Sequence, residues 1–163
     1  MKRKTLFTCY AAIIAAMYVV LSLISTAFGM SSGVIQCRLS EALCILPVFT
    51  PAAVPGVTVG CLISNIWAGG NWADIVFGTA ATLIGALGTR ALRKFRIFAP
   101  LPPIAANTLI IPFVLKYAYN VGDALPFIFA TVGAGEIISA GLFGYILMAA
   151  VWPIRTKLFG REL

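Results

Sequence analysis

Lys4 and Arg38 enclose the stretch TLFTCYAAIIAAMYVVLSLISTAFGMSSGVIQC, residues 5–37, in which no side chain carries a charge. A secretory leader has an apolar core of about 7–15 residues ahead of its cleavage site, and this run is far longer, so it reads as a retained first membrane span at about 6–28. The basic opening Lys2-Arg3-Lys4 is then the flank of that span. The remainder of the chain has the same character. Of its 163 residues 61% are hydrophobic and 10% are charged, and the mean hydropathy is +1.00, whereas soluble domains carry charge on roughly a quarter of their residues. The chain reads as an all-α integral membrane protein. At about 20 residues per crossing it has room for about five to seven helices and none for a separate soluble domain.

Composition also excludes several chemistries. The chain contains no histidine and no G-x-x-x-x-G-K-[ST] phosphate loop, which removes the usual imidazole base, a histidine metal site and a nucleotide-hydrolysing motor. Cys9, Cys37, Cys44 and Cys61 fall at intervals of 28, 7 and 17, which match no zinc or redox spacing, and they read as small packing residues. With no recognisable nucleophile–base pair either, no enzymatic activity, no metal and no cofactor is expected. Any work done on ATP falls to a partner.

The net charge of +7 is concentrated. Lys2, Arg3 and Lys4 form one cluster, Arg90, Arg93, Lys94 and Arg96 a second, and Arg155, Lys157 and Arg161 a third. Cytoplasmic flanks of membrane spans are rich in Lys and Arg, so all three clusters, and with them both termini, are expected on the cytoplasmic side. This topology accounts for the basic balance without a nucleic-acid partner. An even number of crossings must separate successive clusters. Between Arg96 and Arg155 spans at about 99–117 and 127–153 satisfy this. Between Lys4 and Arg90, spans at about 6–28 and 74–92 leave residues 39–73, where Pro47, Pro51 and Pro55 argue against one straight helix. That region divides into a short helix at about 39–49, too short to cross about 30 Å of hydrocarbon upright, and another at about 53–67. The favoured architecture is a single transmembrane domain of six helices, multi-pass and bounded by lipid, with segments 29–38, 68–73 and 117–126 on the outer side.

Polar residues near that outer side are the candidates for a site. Glu136, in Gly133-Ala134-Gly135-Glu136, lies well inside the last span, where a carboxylate costs a few kcal/mol unless it pairs, is protonated or faces a wet cavity. It is read as a binding residue, the alternative being a pairing with Lys116 or Arg38 that ties helices together. The neighbouring Gly133 and Gly135 admit a close neighbour, either helix or ligand. Arg38 and Glu41 sit three apart and are read as an ion pair ordering the outer loop or as groups pointing into a cavity. The run Asn65-Ile66-Trp67-Ala68-Gly69-Gly70-Asn71-Trp72-Ala73-Asp74 joins two indoles, two amides and a carboxylate. Trp67 and Trp72 are ordinary interfacial anchors or, with Asn65, Asn71 and Asp74, a stacking surface beside edge-reading groups that suits a planar heterocycle. Asp74 is equally suited to cap the following helix. Lys116 with Tyr117 and Tyr119 reads as an outer-end anchor of the kind ordinary in membranes, and Lys116, Tyr117 and Asn120 complete the candidate site residues. On the first span Ala11-x-x-x-Ala15 and Ala12-x-x-x-Ala16 permit close helix approach.

Three motifs, Arg38-Leu39-Ser40-Glu41-Ala42, Pro55-Gly56-Val57-Thr58-Val59-Gly60-Cys61 leading to Asn65, and Asp74-Ile75-Val76-Phe77-Gly78-Thr79-Ala80-Ala81-Thr82, resemble the QueT family of substrate-capture subunits (S components) of energy-coupling factor transporters. The resemblance covers nearly the whole chain. It implies a six-helix S-component fold in a prokaryotic plasma membrane that takes a nutrient from outside with high affinity. It also implies docking on a membrane coupling protein attached to two ATPase subunits, and a queuosine precursor, a 7-deazaguanine such as queuine, preQ1 or preQ0, as the small-molecule substrate. In that family the alanine pattern serves docking, which here would be Ala11, Ala12, Ala15 and Ala16. An S component for another vitamin-like nutrient and an autonomous small-solute carrier are the competing readings.

Overall fold

The computed structural model describes residues 3–30 and 35–160. Lys2 and Arg161 of the basic clusters, and residues 31–34 of the expected outer segment, lie outside the described residues. In chain order the elements are α1 (Arg3–Ala27), a 3₁₀ helix (Leu39–Val48), α2 (Ala53–Trp67), α3 (Trp72–Ala91), α4 (Leu101–Tyr117) and a last helical run. That run comprises α5 (Leu125–Glu136), a π-helical segment (Ile137–Phe143), α6 (Gly144–Val151), a 3₁₀ turn (Trp152–Ile154) and α7 (Arg155–Phe159). Among the described residues there is no strand. Four runs are long and apolar enough to cross a membrane, namely Arg3–Ala27, Trp72–Lys94, Arg96–Tyr117 and Leu125–Phe159. The chain is an integral membrane protein.

The prolines shape the centre of the bundle. Pro47 lies inside the 3₁₀ helix Leu39–Val48, whose residues from Ser40 to Val48 are all buried. A 3₁₀ helix rises about 2.0 Å per residue, so this rod reaches about 20 Å, short of the hydrocarbon thickness. It is a central pin wrapped by the longer helices. Leu43, Cys44 and Leu46 on the pin pack with Ile14 and Tyr18 of α1 and with Val57 of α2.

Glycines set the helix spacing. A Cβ on Gly60 of α2 would lie 2.6 Å from Tyr18 Cβ, and one on Gly56 would lie 2.9 Å from Ala11 O. A Cβ on Gly85 or Gly88 of α3 would come within 2.6 Å of Pro103 Cα or 2.4 Å of Pro102 Cβ. Close backbone approach of this kind is how membrane helices gain packing contact where lipid offers no hydrophobic drive. It also divides the alanines of α1: Ala15 is buried and Ala11 half-buried on the side of α2, while Ala12 and Ala16 are exposed.

Tyr10 of α1 donates a hydrogen bond to Leu158 O and packs on Phe159 at 5.7 Å between ring centroids. Arg93, Lys94, Arg96 and Arg155 border one cleft at this same end. The described members of the three basic clusters therefore gather at one end of the bundle, and the polar chamber lies toward the other.

Candidate functional site: a polar chamber around Arg38

The segment leading into the 3₁₀ pin is clamped on both sides. Ser139 Oγ, in the π-helical segment, accepts the Arg38 backbone N–H at 3.0 Å. Ser25 Oγ of α1 accepts the Leu39 N–H at 2.9 Å, and Ser22 donates to Ser40 Oγ at 2.8 Å. The chain crosses α5 at Gly135, where a Cβ would lie 2.1 Å from Gln36 O, while Gly133 faces the Thr108 side chain of α4 at 3.3 Å. The close neighbours that these two glycines admit are protein, a strand of chain and a helix. A π-bulge widens the helix by one residue per turn and re-aims the side chains beside it. Here it directly follows Glu136 and carries Ser139.

Glu41, one turn into the pin, is 3% exposed. Its Oε1 accepts the Tyr18 hydroxyl at 2.5 Å, and its Oε2 accepts Asn107 Nδ2 at 3.4 Å and the Cys44 thiol at 3.3 Å. Asn107 lies on α4, between Pro103 and Pro112, and is 4% exposed. Tyr18→Phe would strip Glu41 of its shortest hydrogen bond in a buried setting. The expected loss is about 1–3 kcal/mol of stability, read as a lower melting temperature of the purified protein in detergent, with helical content unchanged.

Glu136 completes the chamber. With Gln36, Arg38, Glu41 and Asn107 it lines a space of about 30 Å³. Its Oε2 is buried and has no hydrogen-bond partner. Neither Lys116 nor Arg38 closes an ion pair with that oxygen. Lys116 Nζ instead donates to Val121 O at 3.2 Å and to Asp123 O at 2.8 Å, fastening the turn after α4. The Arg38 guanidinium reaches Asn65 Oδ1 at 3.5 Å and lies in the fields of Asp74 and Glu41. It therefore belongs both to the chamber and to an adjoining vestibule of about 420 Å³ that also touches Ser22, Asn65, Trp67, Asp74 and Tyr119.

The structure corrects the sequence reading at α3. The helix begins at Trp72, and its N-cap is Asn71, whose Oδ1 accepts the Ala73 N–H at 3.1 Å. Asp74, in the first turn, is free of that task and accepts the Tyr119 hydroxyl at 3.4 Å. Asn71 also donates to Ala118 O at 3.1 Å, tying α3 to the end of α4. Arg38, Glu41, Asn65, Asp74 and Glu136 thus converge on the chamber and its vestibule, with Trp67 at the rim. Trp72 and Tyr117 face away, lining an apolar groove between α3 and α4 with Phe77 and Phe113, and Asn120 is exposed in a turn at φ 52°. Asn107, Gln36 and Tyr18 belong to the polar set although their sequence context did not single them out, and Tyr119, read as an outer-end anchor, joins them through Asp74. For Asn107 a signal existed: an amide inside an apolar span, the same argument that singled out Glu136.

A membrane bundle that keeps carboxylates, amides and one guanidinium around a space at span depth defines a class, the integral membrane proteins with an internal polar chamber. The family model described as QueT transporter matches residues 8–152, and the chain belongs to that family. A curated relative, the queuosine precursor transporter QueT of Lactococcus lactis subsp. cremoris (strain MG1363), is 35% identical over 96 residues, covering 58% of this chain and 56% of the relative. The aligned part thus spans a little over half the length of that relative. No solved structure matches.

Proposed function

We propose that the protein is the substrate-capture subunit of an energy-coupling factor importer, taking a queuosine precursor of the 7-deazaguanine class. The observation that carries this reading is the buried Glu136 Oε2 without a partner, facing a space that it shares with Arg38, Glu41 and Asn107. An acceptor held at that depth without a donor suits a guest that brings its own N–H groups. The pyrimidine edge of a deazaguanine carries such donors, and its carbonyl suits Asn107 or Arg38. Three carboxylates, Glu41, Glu136 and Asp74, surround one guanidinium, so a precursor with an added ammonium group is met by Asp74 at the vestibule. Membership of the QueT transporter family supports the same reading.

In this proposal the chain is a six-helix domain with both termini in the cytoplasm and the chamber opening outward across a prokaryotic plasma membrane. It has no ATPase activity of its own. The coupling protein, attached to two ATPases, docks on the exposed Ala12 and Ala16 side of α1, because Ala15 is buried against α2. The chamber, at about 30 Å³, holds little more than a water molecule. The vestibule, at about 420 Å³, lies within the usual range of about 300–1,000 Å³ for small-molecule sites. Substrate therefore enters by displacing the long Arg38–Asn65 contact and joining the two spaces. Calorimetric titration of the purified chain with queuine, preQ1 and preQ0 beside a panel of vitamins tests the assignment. Tight binding confined to the deazapurines is expected. A vitamin bound in their place would overturn the substrate, and uptake by liposomes containing this chain alone would overturn the subunit role.

A further inference from the structure

At the opposite end of the bundle from the chamber, Arg93, Lys94, Arg96 and Arg155 border a cleft of about 580 Å³ whose floor is Phe49 and Phe159. Among the described residues no carboxylate lines it. Two of the cations converge on one indole: the Arg96 and Arg155 guanidinium carbons stand 3.6 Å and 3.9 Å from the Trp152 ring centroid. Cation–π contact holds each guanidinium in place, and Arg155 Nη1 is further fixed by donating to Trp152 O at 2.6 Å. Like charges gathered in this way repel, and an anion between them removes that repulsion.

A second space identifies the anion. Arg96 and Trp152 also border a neighbouring groove of about 430 Å³, otherwise lined by Ile97, Tyr145, Met148 and Ala149. Tyr145 donates to Ile97 O, closing one wall of this groove. A free phosphate would use the basic cleft and leave the apolar groove empty. A molecule with an anionic head and an acyl chain uses both, with Trp152 at the junction, where amphipathic rings sit in membranes. Basic pockets at the ends of transmembrane helices hold anionic headgroups in this manner. We infer that this end of the protein carries a specific site for an anionic phospholipid, its phosphate bound by Arg96, Arg155, Arg93 and Lys94 and its acyl chain in the Ile97–Met148 groove. The site is independent of the substrate chamber.

Native mass spectrometry of the purified protein, titrated with phosphatidylglycerol or with phosphatidylcholine, tests the inference. Phosphatidylglycerol is expected to bind more tightly. Arg96→Gln and Arg155→Gln should each weaken it by about fivefold, while Lys157→Gln, which removes an exposed charge outside the cleft, should leave it unchanged. Millimolar inorganic phosphate should fail to displace the lipid. Equal retention of the two lipids by the wild-type protein would overturn the proposal, as would unaltered affinity in Arg96→Gln, an exposed site where folding is not at stake. Displacement by inorganic phosphate would replace the lipid with a soluble anion.

Discussion

Glu136→Ala is expected to weaken deazapurine binding by on the order of 2–4 kcal/mol, roughly 30- to 900-fold, while leaving the ligand-free melting temperature unchanged or raised. The two halves of that expectation have one cause. Glu136 Oε2 is buried without a hydrogen-bond partner, so in the ligand-free protein the carboxyl group carries a desolvation cost that the Asn107 amide and the Arg38 charge beside it offset only in part. Alanine removes the cost and, with it, the acceptor for the substrate's N–H groups. A residue that merely ties helices together would behave in the opposite way, since breaking a buried pair leaves its partner stranded and the protein less stable. Melting curves of the variant with and without ligand, alongside calorimetric titration, separate these cases. A fall in the ligand-free melting temperature with binding intact would remove Glu136 from the site. Glu136→Gln keeps the size and one acceptor, and should fall between alanine and wild type.

Gly135→Ala should have the largest effect on the scaffold of the chamber. Its Cβ would sit 2.1 Å from the Gln36 carbonyl oxygen, a backbone atom that cannot rotate aside, so the chain must lift off α5. Overpacking of this kind typically costs about 1–3 kcal/mol and sometimes more. The lifted segment continues into Arg38 and Glu41, so ligand affinity should fall together with stability. Gly88→Ala is the informative comparison. Its Cβ would meet Pro102 Cβ at 2.4 Å, in the α3–α4 contact away from the chamber, so it should lower the melting temperature and spare the affinity of the folded fraction. Gly133→Ala, facing a Thr108 methyl group at 3.3 Å, should be mild on both counts. Wild-type affinity in Gly135→Ala would show that the crossing at Gln36 does not position the chamber.

What the sequence made legible follows from which physical signals are linear. Hydropathy and length mark long apolar helices, and Pro47 and Pro51 mark the place where regular helix gives way between residues 39 and 53. Glu136 stood out because a carboxylate inside an apolar run is costly whichever way it points. Direction around a helix axis is not linear in this sense, since each residue turns the face by about 100°. For this reason Trp72 and Tyr117, close in sequence to Asp74 and Tyr119, lie in the groove on the outer face. Lys116 was grouped with the acids by its position near the outer end, yet the nearest acceptors were the carbonyls of its own turn. Asn71 took the capping role considered for Asp74 because the helix starts two residues earlier than the charge pattern suggested. The 3₁₀ form of residues 39–48 depends on being wrapped on all sides, and short-range preference does not foretell it.

The π-helical segment Ile137–Phe143 has a consequence for how this protein tolerates change. Because an extra residue is absorbed there, the stretch of the last helix that borders the polar chamber and the stretch that reaches the basic end are set at an angular offset from each other. Insertion or deletion of one residue within it would turn one stretch about 100° against the other. The polar chamber and the arginine-bordered cleft, carried on one continuous run of chain, therefore keep their relative direction only while the length of that segment is held.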